Sequence, residues 1–520
     1  MKNTITLLFL LTFSTLFSQQ TVECWGVYEI SFKVNTLSAN PFVGVKFFAE
    51  FTQGDKIFTP EGFYDGNETY RLRFMPCNEG KWTYKTISNI AELNAKEGSF
   101  ICTPATADNH GQVGIKNSYH FQYQDGTPYF PFGTTIYEWA FQPDFRKQQT
   151  IESLKNAPFN KVRMLAVPPY RKSYESGDYA LTHFPYDGKL PNLWDFSRFD
   201  PVYFQQLEKD ISKLLDLNIE TDLIIFRPYD KGKWGFDTMT EECNIQFIRY
   251  LVARFAAYRN IWWSLANENS FIRHLTDEDW DVLFQTVEKY DPYAHLRSIH
   301  NADRIYDYKK PWVTHVSLQF YGAVKVPGVS QLLHDQYDKP VIHDEINYEG
   351  NIRSRWGQLS GEEMTRRFWN AYICGAYATH GHTTAAMPTD DGWISGGGVL
   401  GGTSPARIAF LRKIVEQHGG LNALDPHFVT NLAGKYGEFY IFYFEDKIQK
   451  SWEVKLPDDR LQNGMTFKAE IIDTWNMTIT PVKEVFTMKK LDNYNFVDEK
   501  NRSIKLPQKP YLAIRLTKIE

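Results

Sequence analysis

The run Ile261-Trp262-Trp263-Ser264-Leu265-Ala266-Asn267-Glu268-Asn269 constrains this chain more than any other stretch. Apolar and aromatic side chains follow one another with no alternating polar face, so the segment reads as a strand covered on both sides, as in a parallel sheet. It stops abruptly at Asn-Glu. In a (β/α)8 barrel the active site gathers at the C-terminal strand ends, which makes a carboxylate directly after such a strand a candidate catalytic group. The pattern returns 77 residues later in Lys339-Pro340-Val341-Ile342-His343-Asp344-Glu345-Ile346. Two strand-end glutamates about two βα units apart would face each other across one mouth, which is the equipment of a glycosidase.

The flanking sequence supports a multidomain chain in which a (β/α)8 TIM barrel lies between an N-terminal immunoglobulin-like β-sandwich and a C-terminal small β-sandwich. At roughly 150 residues per domain, 520 residues suggest about three domains. Residues 20–105 alternate with period two, as in Tyr28 to Val34 and Tyr70 to Phe74, with turn residues between the runs. A polar linker follows, Thr103 to Gly111. Over residues 106–424 strands alternate with helices, the sign of a parallel sheet. The expected barrel strands are Tyr129–Thr134, Lys161–Leu165, Leu223–Phe226, the Ile261 run, Arg297–His300, Val313–Phe320, Val341–His343 and Thr383–Met387. Asp200-Pro201, Ser360-x-x-Glu363 and Ser404-Pro405 mark helix starts. Alternation resumes over residues 425–520. Residues 1–19 read as a secretory signal peptide, too short to span a bilayer, which predicts an exported, periplasmic or secreted protein without a membrane span.

A net charge of −5 without a basic block argues against nucleic acid as a partner. The five cysteines lack CxxC spacing, which argues against a zinc or redox motif; in an exported chain Cys77 and Cys102 could pair, and unpaired buried thiols are an equal alternative. Nothing in the sequence speaks to oligomeric state.

The chemistry assigns Glu268 as acid/base and Glu345 as nucleophile. Asn267 could donate to a sugar 2-hydroxyl or to the nucleophile, and Arg163 could hold Glu345 ionised through a charge-assisted hydrogen bond. His300 and His315 are candidate contacts to sugar hydroxyls or catalytic carboxylates; with His343 they show no metal-binding spacing, so no metal or cofactor is expected. Gln319 and Tyr321 follow the sixth strand and are candidate substrate contacts. Glu138 lies at the expected mouth, and Trp139, Trp234 and Trp393 fall in βα loops, where aromatic planes can carry sugar rings. Asp344 should point away from Glu345, since neighbouring strand residues face opposite sides. The substrate class is an oligosaccharide or polysaccharide. The alternatives are a non-catalytic carbohydrate-binding barrel and a barrel hydrolase or lyase that uses metal or histidine.

Val162-Arg163, Asn267-Glu268 and Glu345 together resemble glycoside hydrolase clan A, the (β/α)8 retaining enzymes. Ile261 to Glu268, Arg297 to Asn301, Trp312 to Ser317, Tyr348-Glu349-Gly350 and Ser404 to Leu411 are similar to a group of bacterial candidate glycosidases with an N-terminal immunoglobulin-like domain of unknown function and a small C-terminal β-domain. The resemblance implies a retaining glycosidase with Glu268 and Glu345 in the roles above. Two positions depart from it: His382 stands where relatives carry an acidic residue, and Glu138 where a small or neutral one is expected.

Overall fold

Eight parallel strands form the centre of the protein, in a computed structural model that describes residues 20–519 apart from 36, 37, 320, 321, 323, 327, 386–391 and 458. In chain order they are Phe132–Thr135, Lys161–Leu165, Glu220–Phe226, Ile261–Ala266, Arg297–Ser298, Val316–Ser317, Val341–His343 and Tyr377–His380. Sequence neighbours pair in every case but the fifth with the sixth, and the first pairs with the eighth. The seam between the fifth and sixth is spanned by a single bridge, His300 with Ser317, and by the Thr314 amide donating to the Arg297 carbonyl at 2.9 Å. The result is a nearly closed barrel.

The fourth strand is buried at every position, as its sequence requires. Helix starts also follow the sequence: the Asp200 side chain accepts from the Val202 amide ahead of Pro201–Asp216, and Ser360 accepts from the Glu363 amide ahead of Gly361–Ile373. The eighth strand differs from expectation. It is Tyr377–His380, whereas Thr383 to Ala385 lie in the following loop and Met387 is outside the described residues. Thr379 and His380 hide this strand from a hydrophobicity reading: Thr379 Oγ1, facing the barrel interior, donates to Asp344 at 2.8 Å, and His380, on the opposite face, stacks on Phe159 with its Nδ1 3.3 Å from Thr134 Oγ1.

Beneath the barrel, the three-stranded sheet Val113–Ile115, Phe121–Tyr123, Pro128–Tyr129 closes the N-terminal end, with Phe121 packed on Trp262, His315 and Tyr377. The N-terminal β-domain stacks a five-stranded sheet on a three-stranded one around Tyr28, Phe51, Phe74, Trp82 and Phe100. Its Cys102 is not bonded to Cys77, the pairing the sequence allowed; the Cys102 sulfur lies 3.1 Å from that of Cys24. At the other end an eight-stranded and a two-stranded sheet form the C-terminal β-domain, which packs Tyr443 against Trp369 of the helix Gly361–Ile373. Among the described residues no helix is long and apolar enough to cross a membrane.

Candidate active site

The fourth and seventh strands deliver Glu268 and Glu345 to the same cavity, which has a volume of about 310 Å3. Its walls include Tyr137, Glu138, Arg171, Tyr229, Gln319, Tyr348 and Trp356. Glu268 takes a left-handed backbone conformation, φ 50°, and turns the chain out of the strand into a short helical turn, Asn269–Phe271. Such a conformation is costly for a residue with a Cβ and persists where its surroundings enforce it. Here the Asn269 amide donates to the His300 carbonyl at 2.9 Å, and the Tyr229 hydroxyl donates to Glu268 Oε2 at 2.6 Å.

Glu345 is buried, and its pKa is pushed up to about 8. Burial is the largest cause, and the negative charge of Glu268 adds to it; Arg163 and the hydroxyls of Tyr348 and Tyr137 pull the other way. The expectation that Arg163 bonds to Glu345 and keeps it ionised is therefore corrected. Arg163 is fully buried, its Nη2 donates to Asn267 Oδ1 at 3.0 Å, and its charge is shared with Asp222 at 3.4 Å and Asp344 at 3.9 Å. Two interior carboxylates claim the guanidinium, and Glu345 receives only its longer-range field.

Asn267 also differs from the role expected. Its Nδ2 donates to the Tyr229 hydroxyl at 2.5 Å and its Oδ1 accepts from Arg163, so it orients the tyrosine that holds Glu268 and does not line the cavity. Tyr137 ties the other half together, its hydroxyl lying 3.4 Å from Asn267 Oδ1, 3.3 Å from Glu345 Oε2 and 3.3 Å from the Tyr348 hydroxyl. Burial raises the pKa of Tyr137, Tyr229 and Tyr348, so all three remain protonated donors.

Glu138 and Gln319 line the cavity as expected. Glu138 is engaged by Arg171 at 2.6 Å and by the Tyr174 hydroxyl at 2.7 Å. Tyr321 lies outside the described residues. The histidines are not brought to the cavity. His300 is buried inside the barrel with no hydrogen-bond partner for either ring nitrogen among the described residues, and burial, then Arg163, push its pKa well below the usual value. His315 sits at the barrel floor against Phe121 and Trp262, with its pKa lowered to about 3 by burial. His343 Nε2 lies 2.9 Å from Ser330 Oγ on the adjacent helix.

The three tryptophans are likewise core. Trp139 donates to Met164 Sδ, Trp393 to Thr134 Oγ1 at 2.9 Å, and Trp234 packs among Tyr170, Phe184 and Phe236. Large aromatic rings in these loops are used to fill space between the loops. The aromatic wall is built by residues the sequence reading passed over, Tyr137, Tyr229, Tyr348 and Trp356. A signal for two of them existed: Tyr137 and Tyr229 lie within three residues of the ends of the first and third strands, the same logic that selected the glutamates.

Asp344 points into the barrel, as strand alternation requires, and receives Lys161 at 2.8 Å, Ser317 Oγ at 2.6 Å and Thr379 Oγ1 at 2.8 Å. Burial alone would raise its pKa, yet Lys161 and Arg163 hold it well below the usual carboxylate range. Among the described residues no group of three or more His, Cys, Asp and Glu is placed to hold a metal ion.

Comparison with known proteins agrees with this architecture. The model of the apiosidase-like catalytic domain matches residues 115–386, and two domains of unknown function, DUF5060 and DUF5605, match residues 21–89 and 429–517. A candidate glycoside hydrolase from Bacteroides vulgatus ATCC 8482 superposes with a TM-score of 0.91 at 40% identity, over 96% of this chain and 100% of that one. A family 5 glycoside hydrolase from the same organism gives a TM-score of 0.55 at 14% identity, over 78% of this chain and 93% of that one, and so shares the fold. No curated protein matches the chain. Fold and comparisons together define a barrel protein of the glycoside hydrolase class. Within that class the chain belongs to the apiosidase-like family, whose domain model covers more than half of its length.

Proposed function

We propose that this protein is an exported retaining glycoside hydrolase that cleaves plant or algal polysaccharides or their oligosaccharides by double displacement, with Glu345 as nucleophile and Glu268 as acid/base. The observation that carries the reading is the placement of both carboxyls in one cavity, close enough that the charge of Glu268 raises the pKa of Glu345. A retaining site needs one ionised and one protonated carboxyl about 5–5.5 Å apart. Below about pH 8 this pair keeps a proton. A sugar whose anomeric carbon sits over Glu345 develops positive charge there and favours the ionised nucleophile, while the glycosidic oxygen over Glu268 favours the proton on the acid. Tyr229 and Asn267 fix the acid in place, and Tyr137 and Tyr348 stabilise the nucleophile as it ionises.

The family name points to terminal apiose, a branched pentose, as the first sugar to test, and a cavity of about 310 Å3 is at the small end of ligand sites. Residues 1–19 are proposed to be removed on export, and domain limits are proposed at 20–105, 106–424 and 425–520. A screen of apiosides, aryl glycosides and defined plant and algal polysaccharides, with product stereochemistry followed by NMR, tests the reading. Glu345→Gln should lower turnover by about three orders of magnitude or more while leaving the circular dichroism spectrum unchanged. Product of inverted configuration, or turnover surviving in that variant, would overturn it.

A further inference from the structure

The N-terminal domain brings two thiols together from opposite ends of its sequence. Cys24 and Cys102 are 78 positions apart, and their sulfur atoms lie 3.1 Å from each other. Backbone pairing sets this up. The strand Thr21–Glu23 runs parallel to Glu97–Thr103, with Val22 opposite Cys102, and the Cys24 amide donates to the Thr103 carbonyl at 2.9 Å. Both side chains are buried, 6% and 1% exposed, in the core that contains Trp82 and Phe100. A disulfide requires its sulfurs about 2.05 Å apart, so closing the gap takes roughly 1 Å, a distance that small side-chain rotations supply without moving the strands.

We infer that Cys24 and Cys102 are the site of a structural disulfide, formed by thiol–disulfide exchange with an oxidised dithiol protein or with glutathione disulfide. In the first step one cysteine, as thiolate, attacks the oxidant disulfide, forms a mixed disulfide and releases one oxidant sulfur as a thiol. The second cysteine thiolate then displaces the remaining oxidant sulfur. The two cysteines give up two protons and two electrons, and the oxidant leaves as two thiols. Burial raises the pKa of both cysteines in the folded domain, which suppresses the attacking thiolate and favours closure before the first strand docks.

The bond would secure a weak point. The strand Thr21–Glu23 is three residues long and lies at the edge of its sheet. The same segment holds the start of the linker to the barrel: the Cys24 carbonyl accepts from Asn109 Nδ2 at 2.9 Å, and Glu23 Oε2 accepts from the Thr106 amide at 2.7 Å. A crosslink closing a 78-residue loop restricts the unfolded chain strongly. This inference stands whether or not the protein is a glycosidase.

The test is to refold the reduced full chain in a glutathione and glutathione disulfide buffer, titrate thiols in denaturant, and map the linked peptides. Three free thiols of the five are expected, with Cys24 joined to Cys102. The oxidised protein should begin to melt at least about 5 °C above its reduced form. Cys77→Ser should keep that difference and Cys24→Ser should abolish it. Five free thiols, a bond through the half-buried Cys77, or identical melting of the oxidised and reduced wild type would each overturn the inference; the last comparison needs no variant to fold.

Discussion

Glu345 is asked to be a nucleophile in a place that disfavours its charge, and that conflict makes its behaviour measurable. Its pKa near 8 arises from burial first and from Glu268 second, so the alkaline limb of kcat/KM belongs to the pair. We expect kcat/KM to fall about tenfold per unit above pH 8. Glu268→Gln removes the neighbouring charge and should move the ionisation of Glu345 downward, which NMR titration of a labelled carboxyl would detect; an unmoved ionisation would show that the two groups do not interact. The same shift is linked to stability. A carboxyl whose folded pKa lies above its ordinary value of 4.5 binds its proton more tightly in the folded state, so stability is fullest below 4.5 and is lost as pH rises to about 8. At roughly 1.4 kcal/mol per pH unit the loss reaches several kcal/mol. Glu345→Gln should therefore unfold at a higher denaturant concentration than the wild type at pH 9, and at a similar one near pH 4. Equal pH dependence in the two proteins would show that Glu345 is not buried as described.

At the scale of elements, the loop after the seventh strand is held by Glu349. Its carboxylate accepts from the Thr403 amide at 2.6 Å, Thr403 Oγ1 at 3.0 Å, the Ser404 amide at 3.1 Å and Ser404 Oγ at 2.6 Å, at the start of the helix Ser404–Gln417. A negative group there satisfies otherwise unpaired amides and complements the helix dipole. Its neighbour Tyr348 reaches the Glu345 site, so a cap on one element positions a donor on another. Glu349→Ala should cost about 2–4 kcal/mol in denaturant unfolding and lower kcat as Tyr348 shifts. The sequence pairs Tyr348-Glu349-Gly350 and Ser404-Pro405 were visible as motifs; that they touch each other was not, because 55 residues separate Glu349 from Ser404.

Across the whole molecule, the N-terminal domain is bound to the barrel through charges. Arg254, on the helix Glu241–Phe255, is fully buried and reaches Asp65 of the N-terminal domain at 2.8 Å and Glu208 of the barrel at 2.8 Å; Arg73 crosses the other way to Glu208 at 2.6 Å. Removing one partner from such a network strands the remaining charges, at a cost of about 3–5 kcal/mol. Arg254→Ala should split calorimetric unfolding into two transitions, the first from the N-terminal domain. A single transition at the wild-type temperature would place the coupling elsewhere.

The chain order of strands and helices, and the two strand-end glutamates, could be read directly because burial on both faces leaves a continuous apolar run and because a strand end is a local event. Seven of the eight barrel strands overlap the segments expected from the sequence. The eighth escaped because Thr379 faces a polar interior, where only the closed barrel brings Asp344, Lys161 and Arg163 together, and because His380 on the opposite face packs on Phe159. The same holds for the side-chain roles. Residue type marked Arg163, Asn267, His300 and the three tryptophans as polar or aromatic groups near a mouth, but whether each faces substrate, carboxylate or core depends on partners supplied by other strands and loops. Local sequence determined which residues stand at the ends of strands; the packing of distant strands decided which charges neutralise one another, and so left Glu345 and Glu268 together in one cavity.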